Sequence, residues 1–265
     1  MATACKPSSA AGSKQLGSAG YAGQPRGRYT HPVRNIESIV AEQVRRWEIQ
    51  RARSGRAAPR PEPVIAISRE YGAGGAAVGQ AVAAQLGFSY WNREIVQEIA
   101  RSTDLSAALV ASRDERHDPP LLATYRELLD RGLPASRYFT ELVKVVHTIA
   151  AHGSAVMVGR GVVFMLPPER VLRVRVVCPL AQRISNLVER GEVTLATARA
   201  AIASVEAERR AFVKDHLDSN LELPSAYDLH VNSGSYGVER AAQVVVVAYR
   251  LRFGDVAAAV TTVPG

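Results

Sequence analysis

A loop with three glycines follows the first long apolar run of the chain. Residues 64–67 are all apolar, which is typical of a strand buried on both faces, and the glycines stand at positions 72, 74 and 75. After the loop, the spacing of three apolar residues predicts a helix over 76–86: Val78, Val82 and Leu86. Such a loop turns successive backbone N–H groups toward one point at a helix N-terminus, where they attract an anion. The segment favours phosphoryl binding.

The same loop also fits a turn that binds nothing, because many strand-to-helix turns use glycine only for its positive φ angles. The P-loop pattern G-x-x-x-x-G-K-[ST], aligned from Arg69 to Ala76, is matched only by its second glycine, Gly74. Gly75 stands at the lysine position, and Ala76 stands where a hydroxyl would hold magnesium. The loop is therefore a degenerate P-loop, and both interpretations stay open on its residues alone.

Cations stand at other positions where a phosphate could be bound. Arg160 follows Gly159 at the end of an apolar strand pattern, where α/β sheets form ligand crevices, and its guanidinium can bind two phosphate oxygens. Arg69 borders the glycine loop. Each also has a structural interpretation: Arg160 could pair with a surface carboxylate, and Arg69 could cap the edge of the sheet.

A long helical pattern at 194–217 carries many charges near its end. Charge runs of this kind usually cover a solvated helix face, so composition alone favours a surface role. The charged residues are Glu206, Glu208, Arg209, Arg210 and Lys214.

Five segments, taken in order, resemble the successive motifs of the cytidylate kinase-like family. They are SREYGAGG after the apolar strand, VMVGRG at 156–161, CPLAQRI at 178–184, VEAERRAFVK at 205–214 and SAYDLHVNS at 225–233. The resemblance runs from about residue 64 to about residue 252 and keeps the order and spacing of the motifs. Members are similar to CMP kinases, which are P-loop nucleoside monophosphate kinases, and many have glycine in place of the loop lysine.

The resemblance implies an α/β fold of the P-loop NTPase type with three layers. We expect a parallel sheet of about five strands with helices on both faces, a helical acceptor-binding insertion at about 92–152 and a lid at about 190–222. It also implies an enzyme that uses ATP, with Mg²⁺ held mainly through phosphates and water because protein ligands are scarce.

The resemblance assigns roles residue by residue. Arg160 matches the arginine of a Gly-Arg-Asp that grips the acceptor phosphate, whereas Gly161 replaces the aspartate. Arg209 and Lys214 resemble the lid cations that close over the transferring phosphoryl group, and Arg183 resembles a position near the nucleotide base. The residues assigned to ATP are Ser68, Arg69, Glu70, Tyr71, Gly72, Ala73, Gly74, Gly75, Ala76 and Arg183.

Outside the family-like domain, at 64–252, the chain has two extensions. Residues 1–32 are rich in Ala, Gly, Ser and Pro and are predicted to be disordered, and 253–265 form a C-terminal tail. Residues 33–63 predict an amphipathic helix and a linker, with apolar residues at helical spacing: Ile36, Val40, Val44 and Trp47. We expect this helix to dock on its own core or on a second copy of the chain. A membrane or nucleic-acid role is less favoured, because its exposed face mixes both charge signs.

The remaining strands are predicted at 87–91, 154–158, 171–177 and 227–231, and further helices at 105–113, 121–131 and 135–152. Alternation of strands with helices predicts a parallel sheet covered on both sides.

The composition agrees with a cytoplasmic enzyme. The chain has 265 residues, 47% of them hydrophobic, so it can bury one good core. Of the formal charge of +8, the first 63 residues carry +7, from eleven Lys/Arg and four Asp/Glu, so a basic surface belongs to the extension only. Two cysteines, Cys5 and Cys178, support neither a disulfide framework nor a thiolate metal site. No apolar run is long enough to cross a membrane.

These observations lead to two hypotheses. The first is a kinase that moves the terminal phosphoryl group of ATP to a nucleoside monophosphate, with CMP or dCMP as first candidates. The second is a nucleotide-binding sensor without turnover, which Gly75, Ala76 and Gly161 favour.

Overall fold

The computed structural model describes residues 36–54, 61–111, 119–130 and 136–254, and all statements below concern these ranges. The predicted tail at 1–32, most of the linker before residue 61, most of the tail at 253–265 and Cys5 lie outside them. Within the described ranges, no helix is both long and apolar enough to span a membrane.

Five strands of the described chain form one parallel sheet. They are β1 Val64–Arg69, β2 Ser89–Trp91, β3 Ala155–Val158, β4 Val171–Val177 and β5 Leu229–Asn232. Their order is β2-β3-β1-β4-β5, and every neighbouring pair runs parallel. β1 lies in the centre, so both of its faces are buried, which explains its unbroken apolar run. The predicted α/β fold is confirmed.

Helices cover both faces of the sheet. On one face, α2 (Gly75–Leu86) and α9 (Ser233–Phe253) pack against each other and against Ile65 and Ile67 of β1. On the other face, Val64 and Ala66 join a larger core that includes the helices between β2 and β3. Alternate residues of β1 therefore belong to two cores, as the period of two in a strand requires.

Four helices lie between β2 and β3. They are α3 Arg93–Arg101, α4 Thr103–Ala111, α5 Pro119–Asp130 and α6 Arg137–His152. α6 packs against the other three. Asn92 caps α3 by accepting a hydrogen bond from the N–H of Ile95, which places the start of that helix directly after β2.

The N-terminal helix, α1 (Ile36–Ser54), packs against α3 and α4. Val40 and Trp47 are buried, and the Trp47 ring stacks on His152 with 3.6 Å between ring centroids. The apolar face of α1 is thus covered by the chain's own helices, which was one of the two predicted docking surfaces.

Two further helices, α7 (Leu180–Glu189) and α8 (Leu195–Leu217), connect β4 to β5. Thr194 and Thr197 form a capping box at the start of α8, so the helix begins one residue after the predicted boundary. α8 passes the carboxyl end of β1, where Nη1 of Arg209 donates to the carbonyl oxygen of Arg69 at 2.9 Å.

Asp228 ties three elements together just before β5. Its carboxylate accepts hydrogen bonds from the backbone N–H of Arg173 at 2.7 Å and from the Arg173 guanidinium at 2.8 Å, and it forms an ion pair with Arg252 of α9. Burial alone would raise the pKa of Asp228, but the hydrogen bonds from Arg173 and Arg252 outweigh it and lower the pKa to about 2. Asp228 therefore braces the sheet.

We expect Asp228→Asn to lower the free energy of unfolding at pH 7 by about 1 to 3 kcal/mol, since it removes a charge-assisted hydrogen-bond acceptor. The pKa of the carboxyl group is depressed from 3.8 to about 2 on folding, so its contribution is present above about pH 4 and is lost as the pH falls toward 2. Urea unfolding at pH 7 and pH 3 measures both effects. Asp215→Asn, which removes an exposed carboxylate of α8, is the matched control. Equal losses in the two variants would contradict this role.

Candidate functional site

A pocket lies at the carboxyl ends of β1 and β3, the edge where parallel sheets bind ligands. Part of its wall is apolar, with Val162, Phe164, Phe212 and Val213. The rest is polar, and its side chains come from the end of β1, the start of α3, the turn after β3 and α8: Ser68, Arg69, Arg93, Arg160, Glu208 and Arg209.

The glycine loop, residues 70–74, adjoins this pocket. Gly72 and Gly74 have φ angles of +85° and +71°, in the left-handed region that favours glycine. Because α2 begins at Gly75, the first N–H groups of the helix have no preceding helical carbonyl to bond. In the described chain we find no hydrogen-bond partner for the N–H groups of Gly74, Gly75 and Ala76. These three amides are available to an anion.

Other groups of the loop are used inside the protein. The N–H of Tyr71 donates to Oε1 of Glu206 at 2.6 Å, and the N–H of Ala73 donates to the carbonyl of Glu70 at 3.2 Å. The carbonyl of Ala73 accepts from Oγ of Ser233 at 2.7 Å. Of the N–H groups in the phosphate cradle predicted over residues 71–76, those of Tyr71 and Ala73 are thus bonded inside the protein, while in the described chain we find no partner for that of Gly72 or for the last three.

The side chains of Glu70 and Tyr71 brace the loop. The Glu70 carboxylate accepts from the N–H of Cys178 at 2.9 Å, and the Tyr71 hydroxyl donates to Glu192 at 2.9 Å. Burial, followed by the hydrogen bond to Glu192, raises the pKa of Tyr71 to about 12. Neither side chain lines the pocket.

Arg183 also supports the loop. A Cβ added at Gly72 would lie 2.7 Å from the Arg183 carbonyl oxygen, and the Arg183 guanidinium lies 3.4 Å from Glu206 and 3.7 Å from Glu70. The structure thus places Arg183 against the loop and between two carboxylates, while its assignment to the nucleotide stays a prediction.

Arg69 fills the space that a lysine at position 75 would need. A Cβ added at Gly75 would lie 2.5 Å from Cβ and 2.9 Å from Cγ of Arg69. The guanidinium then extends to Gly159 at the end of β3, where any Cβ would overlap with it. Position 75 must therefore be glycine as long as Arg69 keeps its present place in the loop.

Arg160 lies in a turn in which three consecutive residues have positive φ angles: +91° at Gly159, +54° at Arg160 and +69° at Gly161. A positive φ is strained for arginine, and such strain is found most often at functional sites. A Cβ at Gly161 would overlap with Cδ1 of Leu217 in α8, so the aspartate of the resembling motif would require that side chain to move. Arg160 contacts the Phe212 ring, 5.8 Å from its centroid.

Arg93 is the pocket cation that sequence reasoning missed. It is the first residue of α3, and in the described chain neither it nor Arg160 has a carboxylate within ion-pair distance. The Nε atoms of both arginines and the hydroxyl of Tyr138 are buried without a hydrogen-bond partner. The same rule that selected Arg160, a cation directly after a strand of the sheet, would have selected Arg93 after β2.

The two predicted lid cations differ in position. Arg209 lines the pocket, lies 3.8 Å from Glu206 and contacts the Tyr71 ring, 5.6 Å from its centroid. Lys214 is exposed and is not part of the pocket wall, to which α8 contributes Val205, Glu208, Arg209, Phe212 and Val213. The structure thus brings Arg209 to Arg69 and Arg160 but leaves Lys214 outside.

Positive charge is concentrated in the pocket. Burial lowers the pKa of Arg69 to about 9. The charges of Arg209 and Arg93 act in the same direction, and the charge of Glu94 opposes them. Burial likewise lowers the pKa of Arg160 and of Arg209. Guanidinium groups stay charged in proteins, so a bound anion would relieve both their desolvation and their mutual repulsion.

The described residues offer amides and guanidinium groups for phosphates but no cluster of metal-binding side chains. They contain no group of three His, Cys, Asp or Glu side chains that could hold a metal ion. Ser68, which could have been a magnesium ligand, instead accepts a hydrogen bond from Arg175 at 2.7 Å.

A family model for the cytidylate kinase-like family matches residues 64–235, which is more than half of the chain. The chain belongs to the cytidylate kinase-like family. The match begins at β1 and ends in the first turn of α9, so the pocket of this cytidylate kinase-like domain lies entirely within it, whereas α1 lies outside.

Two solved structures are similar to this chain at low identity. An uncharacterized protein from Eubacterium ventriosum ATCC 27560 is 19% identical, with a TM-score of 0.55 over 70% of this chain and 96% of that chain. Shikimate kinase from Acinetobacter baumannii in complex with shikimate is 11% identical, with a TM-score of 0.40 over 72% of this chain and 93% of that chain. No curated protein matches the chain. The family and the sheet together indicate a nucleotide kinase-like protein with a P-loop kinase fold.

Proposed function

We propose that this protein transfers the γ-phosphoryl group of ATP to a nucleoside monophosphate, with CMP or dCMP as first candidates. One observation carries the proposal. Arg69, Arg93 and Arg160 line one pocket without a carboxylate partner in the described chain, next to three open amides at the start of α2. An arrangement with so much unneutralised positive charge suits a reaction between two phosphate groups.

In this proposal the two ends of the site hold different substrates. The amides of residues 74–76 bind the phosphates of ATP, with the positive end of α2 adding to the attraction. Arg93 and Arg160, which both line the pocket, bind the phosphate of the acceptor. Arg69 lies between these two ends, and Arg209 reaches the same place from α8.

Transfer then requires no covalent intermediate on the protein. An oxygen of the acceptor phosphate attacks the γ-phosphorus, the bond from that phosphorus to the β–γ bridging oxygen breaks, and ADP leaves with the electron pair of that bond. Negative charge spreads over the γ-oxygens during this step, and Arg69 and Arg209 are placed to stabilise it. Mg²⁺ would be carried by the nucleotide phosphates and water, because the described residues offer no metal site.

A sensor without turnover is the second candidate, and one contact favours it. Glu206 is buried, and its carboxylate already occupies the N–H of Tyr71 beside the open amides. A carboxylate in that position repels a triphosphate unless α8 moves, so binding could be coupled to a movement of α8 with no chemistry following.

A coupled ADP-release assay with magnesium-ATP and a panel of nucleoside monophosphates separates the two candidates. We expect turnover with at least one acceptor, CMP and dCMP being tested first, and loss of that turnover in Arg160→Ala and Arg209→Ala. ATP hydrolysis without an acceptor is the background control. ATP binding with no product from any member of the panel would reject the kinase and leave the sensor.

A further inference from the structure

A further arginine close to the pocket lies on β4, the strand next to β1. Arg175 of β4 is only 6% exposed, so its charge is buried in the sheet. Its guanidinium donates to Oγ of Ser68 at 2.7 Å and stacks near the Tyr227 ring, 5.8 Å from the centroid. No carboxylate of the described chain lies within ion-pair distance of it.

The other arginine of the same strand shows how the fold neutralises such a charge. Arg173, two residues earlier and on the same face of β4, is paired with Asp228 at 2.8 Å. A buried charge without a counter-ion is costly, and proteins normally pair it or expose it. The missing counter-ion of Arg175 therefore points to a ligand on the other side of Ser68, to which its guanidinium donates at 2.7 Å.

Ser68 connects Arg175 to the pocket. It is the register partner of Arg175 in the sheet and lines the pocket between Ile67 and Arg69. One lone pair of its oxygen is taken by Arg175. The neighbouring Tyr227 hydroxyl gives its proton to the carbonyl of Leu221 at 2.7 Å, so its oxygen, 3.4 Å from Ser68 Oγ, is only a distant acceptor for the Ser68 proton. Because a hydroxyl proton rotates to suit its acceptors, the Ser68 proton can turn to a closer anion in the pocket.

We propose that Ser68 and Arg175 form a further part of the binding site, in which the Ser68 hydroxyl donates a hydrogen bond to the phosphate monoester of the acceptor. A phosphate monoester dianion offers only acceptor oxygens, which matches this donor. Arg175 is a positioning residue. Its hydrogen bond orients the Ser68 hydroxyl, and its positive charge makes that hydroxyl a stronger donor to an anion. This inference rests on the proposed function, because it assigns a group of the same acceptor.

Calorimetric titration of the full chain with inorganic phosphate, and separately with CMP, tests the pair. We expect Ser68→Ala and Arg175→Met each to weaken both ligands about 10-fold, the effect of losing one hydrogen bond to a charged group. Arg175→Lys can still donate to Ser68 and should recover part of the loss. Arg173→Met removes the same charge from the same strand outside the pocket, so its affinities should stay within about 2-fold of wild type.

The outcomes decide the inference separately from the function. Unchanged affinities in Ser68→Ala, or equal losses in Arg173→Met and Arg175→Met, would overturn it, as would a wild-type protein that binds no phosphate. Weaker CMP binding with unchanged phosphate binding would also overturn it, because the contact would then be to the nucleoside. If Arg175→Met fails to fold by circular dichroism, Ser68→Ala decides alone. Absence of turnover with every acceptor would reject the kinase but leaves the phosphate titration able to decide.

Discussion

We expect lysine introduced at position 75 to lower the rate of the proposed phosphoryl transfer, even though it restores a P-loop residue, unless Arg69 is shortened at the same time. The Cβ at position 75 would lie 2.5 Å from Cβ of Arg69, so the single substitution overpacks the loop and crowds two cations. Overpacking of this kind costs about 1 to 3 kcal/mol, and we expect a rate about 10 to 100 times lower in Gly75→Lys.

The double variant Arg69→Gly with Gly75→Lys should recover the rate to within about 10-fold of wild type, because it exchanges the two residues in the way the P-loop pattern has them. Arg69→Gly alone removes the cation that lies between the two substrates, and we expect it to be the slowest of the three, about 100 to 1000 times below wild type. The steady-state rate at saturating ATP and acceptor, with thermal unfolding of each variant, measures this cycle.

Ala77→Lys, which adds the same charge at an exposed position of α2, serves as the control and should leave the rate nearly unchanged. Full activity of Gly75→Lys at normal stability would show that Arg69 does not replace the lysine.

Arg93→Ala and Arg160→Ala are expected to have the largest effects of single substitutions. Both guanidinium groups have a buried Nε without a partner in the described chain, so each would meet the acceptor phosphate with a desolvated donor. An arginine aimed at a transferring phosphoryl group is worth about 10³ to 10⁵ in rate, and we expect losses near the lower value because the acceptor phosphate is not the group transferred.

The two arginine variants should raise the KM for the acceptor as well as lower kcat, while the KM for ATP changes little. The double variant should lose less than the product of the two single losses, because both side chains bind one group. Arg126→Ala, which removes an exposed arginine of α5, is the matched control. Normal acceptor kinetics in Arg93→Ala would remove that residue from the proposed site.

Much of the fold was predictable because its signals are local. The run Val171–Val177 forms a strand with the predicted limits, since five of its seven residues are Val or Leu and Cys178 and a proline follow it. The start of α8, predicted at 194, lies within one residue of the observed start. The starts of α4 and α5 were predicted two residues late, at 105 and 121, although Ser102 caps α4 by accepting a hydrogen bond from the N–H of Leu105 at 3.3 Å.

The site was less predictable because it depends on contacts between distant residues. Lys214 is five residues after Arg209, a rotation of about 140° on a helix, so both cannot face one pocket. Gly75 and Arg69 are six positions apart, and only the path of the loop brings their Cβ positions within 2.5 Å. The pairing of Arg173 with Asp228, which leaves Arg175 without a counter-ion, likewise follows from the register of β4 and β5.

The stacking of α1 on the helical insertion has a practical consequence. The chain contains two tryptophans, and their rings lie 6.1 Å apart, Trp47 on α1 and Trp91 at the end of β2. Arg93 begins α3 two residues after Trp91, whereas the open amides of α2 have no indole nearby in sequence. Tryptophan fluorescence therefore reports on the side of the molecule that contains α1 and α3. A change in emission on adding a nucleoside monophosphate without ATP would measure the rate of binding at the proposed acceptor end, with no attached dye.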